Sequence, residues 1–215
     1  MKKVYKVFFQ NQFNLSVFLK YNIINKDKTV LVNGSGVNLV EHKPLKYPED
    51  NGVNFLFIGR IMKEKGIDEL LLAAKKIIKE YPNVQFNLLG YMEENYSKII
   101  EELSHEKIIN YHGFQNDTIN YISQSHCVIL PSYHEGMSNS LLEGAALARP
   151  LIASNIPGCK EIIINNISGY LCDAKSVDDL YEKIVMFIKL SYYKKKKWLL
   201  ILENILKINL IEKLL

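Results

Sequence analysis

The 215-residue sequence has few cysteines, little net charge and no long apolar run. Its three cysteines stand far apart and form no Cys-x-x-Cys or Cys/His spacing, which excludes a zinc motif and disfavours a disulfide framework. We interpret them as buried thiols in a reducing compartment. The net charge of +4 is too small to indicate a nucleic-acid partner.

Membrane-spanning and secretory segments are also missing from the pattern. No apolar stretch approaches the roughly 20 residues that a transmembrane helix needs. The N-terminus lacks the apolar centre and small-residue cleavage site of a secretory signal. We therefore expect a cytoplasmic protein with at most peripheral membrane contact. Hydrophobic residues make up 48% of the chain, which is enough for a large folded core.

Short apolar runs alternate with segments of helical period from residue 54 onward. This alternation is typical of a parallel sheet wrapped by helices. The sequence predicts a doubly wound, Rossmann-like α/β domain over residues 51–190, and such sheets bind ligands at the carboxyl ends of their strands. The predicted strands are 55–59, 84–90, 108–113, 127–131, 150–154 and 169–172, and the predicted helices are 67–80, 96–103 and 118–124.

Residues 1–50 have a different character. A helix-like stretch over 14–21 precedes a strand that runs into a glycine-rich turn at Gly34 and Gly36, and a linker with two prolines follows. Fifty residues are too few to bury a core of their own. We expect this part to be the tail of a preceding unit.

The segment PSYHEGMSNSLLE, residues 131–143, carries the strongest chemical signal. A predicted strand ends at its start, and Ser138 and Asn139 precede a helical run. The free N–H groups of a capped helix start form an anion site, which the helix dipole reinforces. Glu135 and Glu143 flank this turn. Carboxylates beside a phosphate are unfavourable unless they bind hydroxyls, and sugar hydroxyls meet that requirement.

Arg60 and Lys65 supply positive charge where the first predicted strand of the domain ends. The sequence GRIMKEKG places them around a loop that opens onto the next helix. A pyrophosphate held between strand ends needs such cations to neutralise charge on a departing nucleotide. Taken singly, each charge also fits an ordinary solvated side chain, and Glu143 also fits the surface of a helix.

Together these segments resemble the retaining GT-B glycosyltransferases known as family 4 or group 1. Glu135 and Glu143 reproduce the E-x7-E motif of that family, and Gly59-Arg60 with Lys65-Gly66 is similar to its G-R-x-x-x-x-K-G element. The segments GFQND, GCKEII and SGYLC also look like family equivalents. The resemblance covers roughly residues 7–188 and implies the C-terminal half of a GT-B fold.

The resemblance implies roles at the matching positions. Cationic side chains and backbone N–H groups would bind the diphosphate of a nucleotide-sugar donor, and the two glutamates would bind the transferred sugar and the ribose. The loop at Gly113 and Phe114 would border the nucleobase. The implied catalytic residues are Arg60, Lys65 and Glu135, and the implied donor-binding residues are Gly59, Gly113, Phe114, Gly136, Met137, Ser138, Asn139 and Glu143.

The implied reaction transfers a sugar from a nucleotide diphosphate-sugar to a glycan or lipid-linked acceptor in surface-polysaccharide assembly. The anomeric configuration would be retained. Family members usually work without a bound metal or other cofactor, and the sequence has no Asp-x-Asp motif, which agrees with that.

The chain departs from the family pattern at both ends. A complete family enzyme has an N-terminal domain that binds the acceptor, whereas residues 1–50 resemble only its closing segment and the hinge. A second hypothesis is therefore a split or truncated donor-binding module, whose partner would be a separate N-terminal domain chain. A nucleotide-sugar epimerase of related architecture is a third and weaker alternative.

Residues 191–215 do not follow the expected family motif. We hypothesise a frameshift in the A-rich run that encodes Lys194 to Lys197, which would place the last ~18 residues out of frame. An amphipathic terminal helix that diverged in sequence is the alternative interpretation.

Overall fold

The computed structural model describes residues 4–32 and 34–198. The strands are β1 (Val7–Phe9), β2 (Thr29–Leu31), β3 (Val53–Ile58), β4 (Val84–Leu89), β5 (Asn110–Tyr111), β6 (Cys127–Leu130), β7 (Leu151–Ser154) and β8 (Gly169–Cys172). The α-helices are α1 (Gln12–Lys20), α2 (Ile67–Glu80), α3 (Ser97–His105), α4 (Thr118–Gln124), α5 (Asn139–Ala146) and α6 (Val177–Lys189).

Six of the strands form one parallel sheet in the order β5-β4-β3-β6-β7-β8. Chain progression runs outward from β3 in one direction and from β6 in the other, which is the order of a doubly wound sheet. The predicted α/β fold class is confirmed. The order reverses between β3 and β6, so a crevice is expected at the carboxyl ends of these two strands.

Aromatic and aliphatic side chains fill the core between this sheet and its helices. The rings of Phe55 and Phe86 stack across neighbouring strands with centroids 5.2 Å apart, and Phe187 of α6 meets Phe55 edge-on. Helix α2 buries Leu70, Ala74 and Ile77 completely, at the spacing that places side chains on one helix face. The hydrophobic pattern that predicts this helix is therefore the pattern of its packing face.

Most predicted elements lie where the sequence places them. Helices α2 and α4 have the predicted bounds, whereas the strand predicted over 108–113 is reduced to the two residues of β5. Its start is later than predicted because the N–H of Ile108 donates to the carbonyl of Leu103 at 2.9 Å and so closes the end of α3. Helix α6 was not predicted, although Ser176 caps it and two aspartates occupy its first turn.

The first elements form a small unit beside the main sheet. Strands β1 and β2 pair in parallel, with Phe9 opposite Leu31, and α1 connects them. Two strands are too few to be stable alone. Phe8 and Phe13 remain exposed on this unit. The proposed domain limits of 1–50 and 51–190 stay predictions.

The segment predicted to be a linker packs closely onto the main domain. Tyr47 is buried, and its hydroxyl donates to the carbonyl of His126 at 2.9 Å. Arg149 is also completely buried, and its guanidinium donates to the carbonyls of Leu45 and Lys46 at 3.1 and 2.8 Å. Further bonds from the same guanidinium reach the end of α4. This part of the linker is therefore held to the domain.

The three cysteines and Trp198, the last described residue, are buried in the domain. Every cysteine is free and buried, as predicted. Residues 192–198 are helical, and the buried Trp198 ring meets Tyr170 with ring centroids 5.1 Å apart. The frameshift hypothesis concerns residues that, apart from Trp198, lie outside the described part of the chain. No helix in the described part is long and apolar enough to cross a membrane.

Candidate functional site

Two loops meet at the switch point of the sheet. One follows β3 and carries Arg60 and Lys65, and the other follows β6 and carries Glu135. Parallel strands direct both loops to the same edge. The loops touch directly, since the N–H of Tyr133 donates to the carbonyl of Glu64 at 2.8 Å. The sequence-predicted residues after these strands are thus brought to one place.

Gly66 allows this close approach. Its φ of +69° lies in the left-handed region, and a Cβ at this position would overlap the carbonyl oxygen of Pro131. The residue also closes the short 3-10 turn at 63–65 and begins α2. A glycine at this position therefore sets the distance between the two loops.

An ion pair joins the loops at the bottom of the crevice. Lys65 Nζ donates to Glu135 Oε1 at 2.6 Å, and the Ser132 hydroxyl donates to the same oxygen at 2.7 Å. The side chains of Lys65 and Glu135 are only 23% and 10% exposed, so water screens their attraction less than on an open surface. No hydrogen bond to the second carboxylate oxygen, Oε2, occurs among the described residues. That oxygen is available to accept hydroxyl groups.

A polar cleft of about 340 Å³ opens above this ion pair. Lys65 and Glu135 form one side, and the start of α5, residues 137–140, forms another. Glu143 also lines it, and its Oε2 accepts a hydrogen bond from the Thr118 hydroxyl at 3.2 Å. Both glutamates of the E-x7-E motif therefore face a single space.

The start of α5 differs from the sequence expectation in one respect. Ser138 is the N-cap, and its hydroxyl accepts from the N–H of Leu141 at 3.3 Å. The Ser138 N–H itself donates to the carbonyl of Gly158 at 3.0 Å, so it is not free for a phosphate as expected. The N–H groups of Met137 and Asn139 have no hydrogen-bond partner among the described residues. Two amides at this helix start are therefore available to an anion in this structure, and the donor-binding role of residues 137–139 stays a prediction.

An apolar pocket of about 210 Å³ adjoins the cleft, with which it shares Ile58 and Thr118. Arg60 lines this pocket and not the cleft that contains Lys65. The two cations predicted to act together therefore lie in neighbouring spaces, and Arg60 is exposed.

Two exposed aromatic rings stand at the apolar pocket. Tyr91 and Phe114 stack with centroids 4.5 Å apart and ring planes 8° from parallel. They are 65% and 50% exposed, which is unusual for an aromatic pair of this size. Phe114 was among the predicted site residues, whereas Tyr91 was not. Tyr91 comes directly after a predicted strand, and this position was the signal that could have indicated it.

The remaining predicted glycines lie at or near the two spaces. Gly59 lines the apolar pocket, and Gly113 accepts the N–H of Gly90 at 2.8 Å and so holds two loop ends together. Gly136 lines neither space. A Cβ on Gly136 would meet the side-chain oxygen of Gln10, which lies at the end of a flexible side chain and can move, so this contact alone does not require a glycine.

A partly buried pair of hydrogen bonds supports the loop that carries Glu135. The Tyr133 hydroxyl donates to both carboxylate oxygens of Glu69 on α2, at 2.8 and 2.9 Å. Burial raises the pKa of the Tyr133 phenol, and the hydrogen bond to the Glu69 carboxylate raises it further. The phenol therefore stays protonated and remains a donor.

No cluster of three or more potential metal-binding side chains occurs in the described part of the chain, and independence from metals stays a prediction.

The chain is similar to known glycosyltransferases in sequence. A family model described as glycosyl transferases group 1 matches residues 41–198. The N,N'-diacetylbacillosaminyl-diphospho-undecaprenol alpha-1,3-N-acetylgalactosaminyltransferase of Campylobacter jejuni is 26% identical over 200 residues, which cover 87% of this chain and 52% of the relative. The capsular polysaccharide biosynthesis glycosyltransferase CapM of Staphylococcus aureus is 28% identical over 184 residues, 82% of this chain and 47% of the relative. The chain thus spans about half the length of these relatives.

The fold is also similar to solved structures. A crystal structure of a mutant of S. aureus TarM in complex with fondaparinux, alpha-GlcNAc-glycerol and UDP matches with a TM-score of 0.85 at 21% identity. The match covers 99% of this chain and 42% of the TarM chain. At this identity the similarity establishes a shared architecture.

Proposed function

The chain belongs to the group 1 glycosyltransferase family, and we propose that it binds a nucleotide diphosphate-sugar and takes part in transferring the sugar to a glycan or lipid-linked acceptor. The observation that carries this proposal is the polar cleft at the switch point. It combines an ion pair, a second carboxylate and two helix-start amides that have no partner in the described part of the chain, and it adjoins an aromatic-lined pocket. Family membership gives no support to the epimerase alternative.

The diphosphate fits the positively charged part of this arrangement. Lys65, Met137 and Asn139 line the cleft, and the dipole of α5 favours negative charge at its start. Arg60 in the adjoining pocket would reach the same group from the other side. Charge that develops on the departing diphosphate would be stabilised by these donors, and such stabilisation lowers the barrier to transfer.

The two glutamates fit hydroxyl groups. Glu135 has one oxygen bound to Lys65 and Ser132 and the other oxygen available for the transferred sugar. Glu143 accepts from Thr118 and would hold the ribose from the opposite part of the cleft. The cost of burying a carboxylate charge is offset when a cation pairs with it or a hydroxyl group donates a hydrogen bond to it. In this site Lys65 is the cation for Glu135.

The nucleobase fits the apolar pocket. Its volume of about 210 Å³ and its exposed aromatic pair suit a flat heteroaromatic ring. The solved complex of TarM contains UDP, which makes UDP the first nucleotide to test.

The relatives named for undecaprenol-linked and capsular substrates support a lipid-linked or polysaccharide acceptor. Retention of configuration and independence from metals are part of the proposal.

The second candidate is a donor-binding module that has no transferase activity alone. One observation favours it: the chain spans about half the length of the relatives that it matches. Both candidates predict nucleotide binding, and they differ in turnover. Sugar transfer to an added acceptor by the isolated 215-residue chain would exclude the module.

The experiment is calorimetry of the full chain with UDP and with GDP. We expect one of them to bind, and the variant Lys65→Met to bind it at least about tenfold more weakly, since one hydrogen bond to a charged group contributes about 1.5–3 kcal/mol. Lys63→Met is the matched control, because Lys63 lies in the same turn, is exposed and lines neither space. Failure of both nucleotides to bind, or equal loss in the two variants, would contradict the proposal.

A further inference from the structure

Asn11 connects the N-terminal unit to the loop that carries Glu135. Its side chain is 4% exposed, and its amide nitrogen donates to the carbonyl of Gly136 at 2.7 Å and to that of Glu135 at 3.3 Å. Its amide oxygen accepts the N–H of Asn14 at 2.8 Å and so caps α1. Two consecutive carbonyls of the loop are thus held by one side chain from outside the main domain.

The orientation of these carbonyls determines the orientation of the next amides. The described peptide bonds are all trans, so each carbonyl points opposite to the N–H of the following residue. When Asn11 holds the carbonyls of Glu135 and Gly136 on its own side, the N–H groups of Gly136 and Met137 point away from Asn11. Met137 lines the polar cleft and Asn11 does not.

A second contact restricts the same loop. Gly158 has a φ of +89°, and a Cβ at this position would lie 2.6 Å from the carbonyl oxygen of Gly136 and 2.8 Å from that of Glu135. The Ser138 N–H donates to the carbonyl of Gly158 at 3.0 Å. The loop is therefore packed against Gly158, while Asn11 provides the side-chain hydrogen bonds to its two carbonyls.

We infer that Asn11 is a positioning residue for the phosphates of the donor. It acts through the loop: its two N–H···O bonds fix the peptide planes of residues 135–137, and the second of these planes presents the Met137 amide to the anion. The same bonds hold the backbone of Glu135 beside Lys65. This inference rests on the proposed donor binding, and it assigns to the N-terminal unit a part in phosphate recognition.

The test replaces the amide and keeps the helix cap. Asn11→Ser retains a good N-cap residue, removes both donors and adds no charge. We expect the variant to bind UDP about tenfold more weakly than the wild type, a change of about 1.4 kcal/mol. Binding of uridine, which lacks phosphates, should be unchanged in ligand-observed NMR. In 1H–15N spectra the UDP-induced shift of the Met137 amide should become smaller.

Two controls separate positioning from stability. Ser176→Ala removes the N-cap of α6, and Ser176 lines neither the cleft nor the apolar pocket. It should reduce stability without changing UDP affinity. If Asn11→Ser does not fold, Asn11→Asp retains the cap and nearly the same shape. Asn14→Asp then corrects for the added charge, and Asn11→Asp must lose more UDP affinity than Asn14→Asp does.

The outcomes distinguish the two proposals. If the wild-type chain binds neither UDP nor GDP, donor binding fails and the role of Asn11 fails with it. If the wild type binds UDP, and folded Asn11→Ser binds it equally well, the positioning role is overturned while donor binding stands. Equal losses for UDP and uridine would also overturn it, because they would indicate general damage to the site. GDP with guanosine replaces this pair if the chain prefers guanine.

Discussion

The substitution Gly66→Ala tests how the two site loops are held together. Gly66 has a left-handed backbone with φ of +69°, and the added methyl would overlap the carbonyl oxygen of Pro131. The left-handed backbone alone costs a residue with a Cβ about 1–2 kcal/mol. Relief of the overlap requires movement of backbone in the β6 loop, and overpacking of this kind costs about 1–3 kcal/mol more. We expect Gly66→Ala to lose about 3 kcal/mol in total.

Gly36→Ala is the matched control for this prediction. Gly36 has a φ of +73°, and nothing lies within 4 Å of a Cβ built on it. Gly36→Ala should therefore lose about 1 kcal/mol of stability from the left-handed backbone and nothing from steric overlap. The difference between the two variants isolates the contact between the loops.

Urea unfolding followed by circular dichroism measures both losses. With an m-value of about 2 kcal/mol/M, Gly66→Ala should lower the midpoint by about 1.5 M and Gly36→Ala by about 0.5 M. The displaced Pro131 carbonyl should also weaken nucleotide binding in Gly66→Ala, because Glu135 follows in the same loop. Equal midpoints for the two variants would refute the reasoning that Gly66 is required by contact with Pro131.

Two further predictions concern buried polar groups. His126 accepts the N–H of Asn54 at 3.1 Å, and burial lowers its pKa below the ordinary 6.5. The unfolded chain then binds more protons than the folded chain at low pH, so the free energy of unfolding should fall as the pH is lowered from about 7.5 to about 5.5. This loss of stability should be smaller in His126→Gln. An equal loss in the variant, measured by urea titration, would contradict the prediction. Arg149 makes six hydrogen bonds to backbone carbonyls. Arg149→Lys has at most three donors, so at roughly 1 kcal/mol for each lost hydrogen bond we expect the free energy of unfolding to fall by about 3 kcal/mol. A loss below about 1 kcal/mol in the same assay would show that these bonds do not hold the segment at 45–46.

Local patterns were sufficient to predict much of the main sheet and its helices. The apolar face of α2 and the continuous apolar strand β6 encode their own structure, since burial selects the same residues in any arrangement of the sheet. The two-residue β5 could not be predicted in length, because its pairing with β4 ends where the chain turns back onto α3. Helix α6 was predictable in principle from its N-cap and acidic first turn, and it was missed.

The site shows the same division. Lys65, Glu135 and Glu143 could be selected from sequence because motif spacing and charge are local properties. Their ion pair and their common cleft depend on β3 and β6 being neighbours, although more than 60 residues separate them. The engaged Ser138 N–H and the stacked Tyr91 depend on loops from distant parts of the chain, which no local pattern reports.

The amino-acid sequence was sufficient to predict the fold class, the positions of most elements and the residue types of the candidate site. These follow from hydrophobic period, turn residues and caps, which act over a few neighbouring residues. The three-dimensional arrangement was needed to show that Asn11 holds the Glu135 loop, that Arg60 and Lys65 occupy separate spaces and that Arg149 is buried. Each of these depends on which distant carbonyl or ring meets a side chain, and that is fixed by the order of the strands.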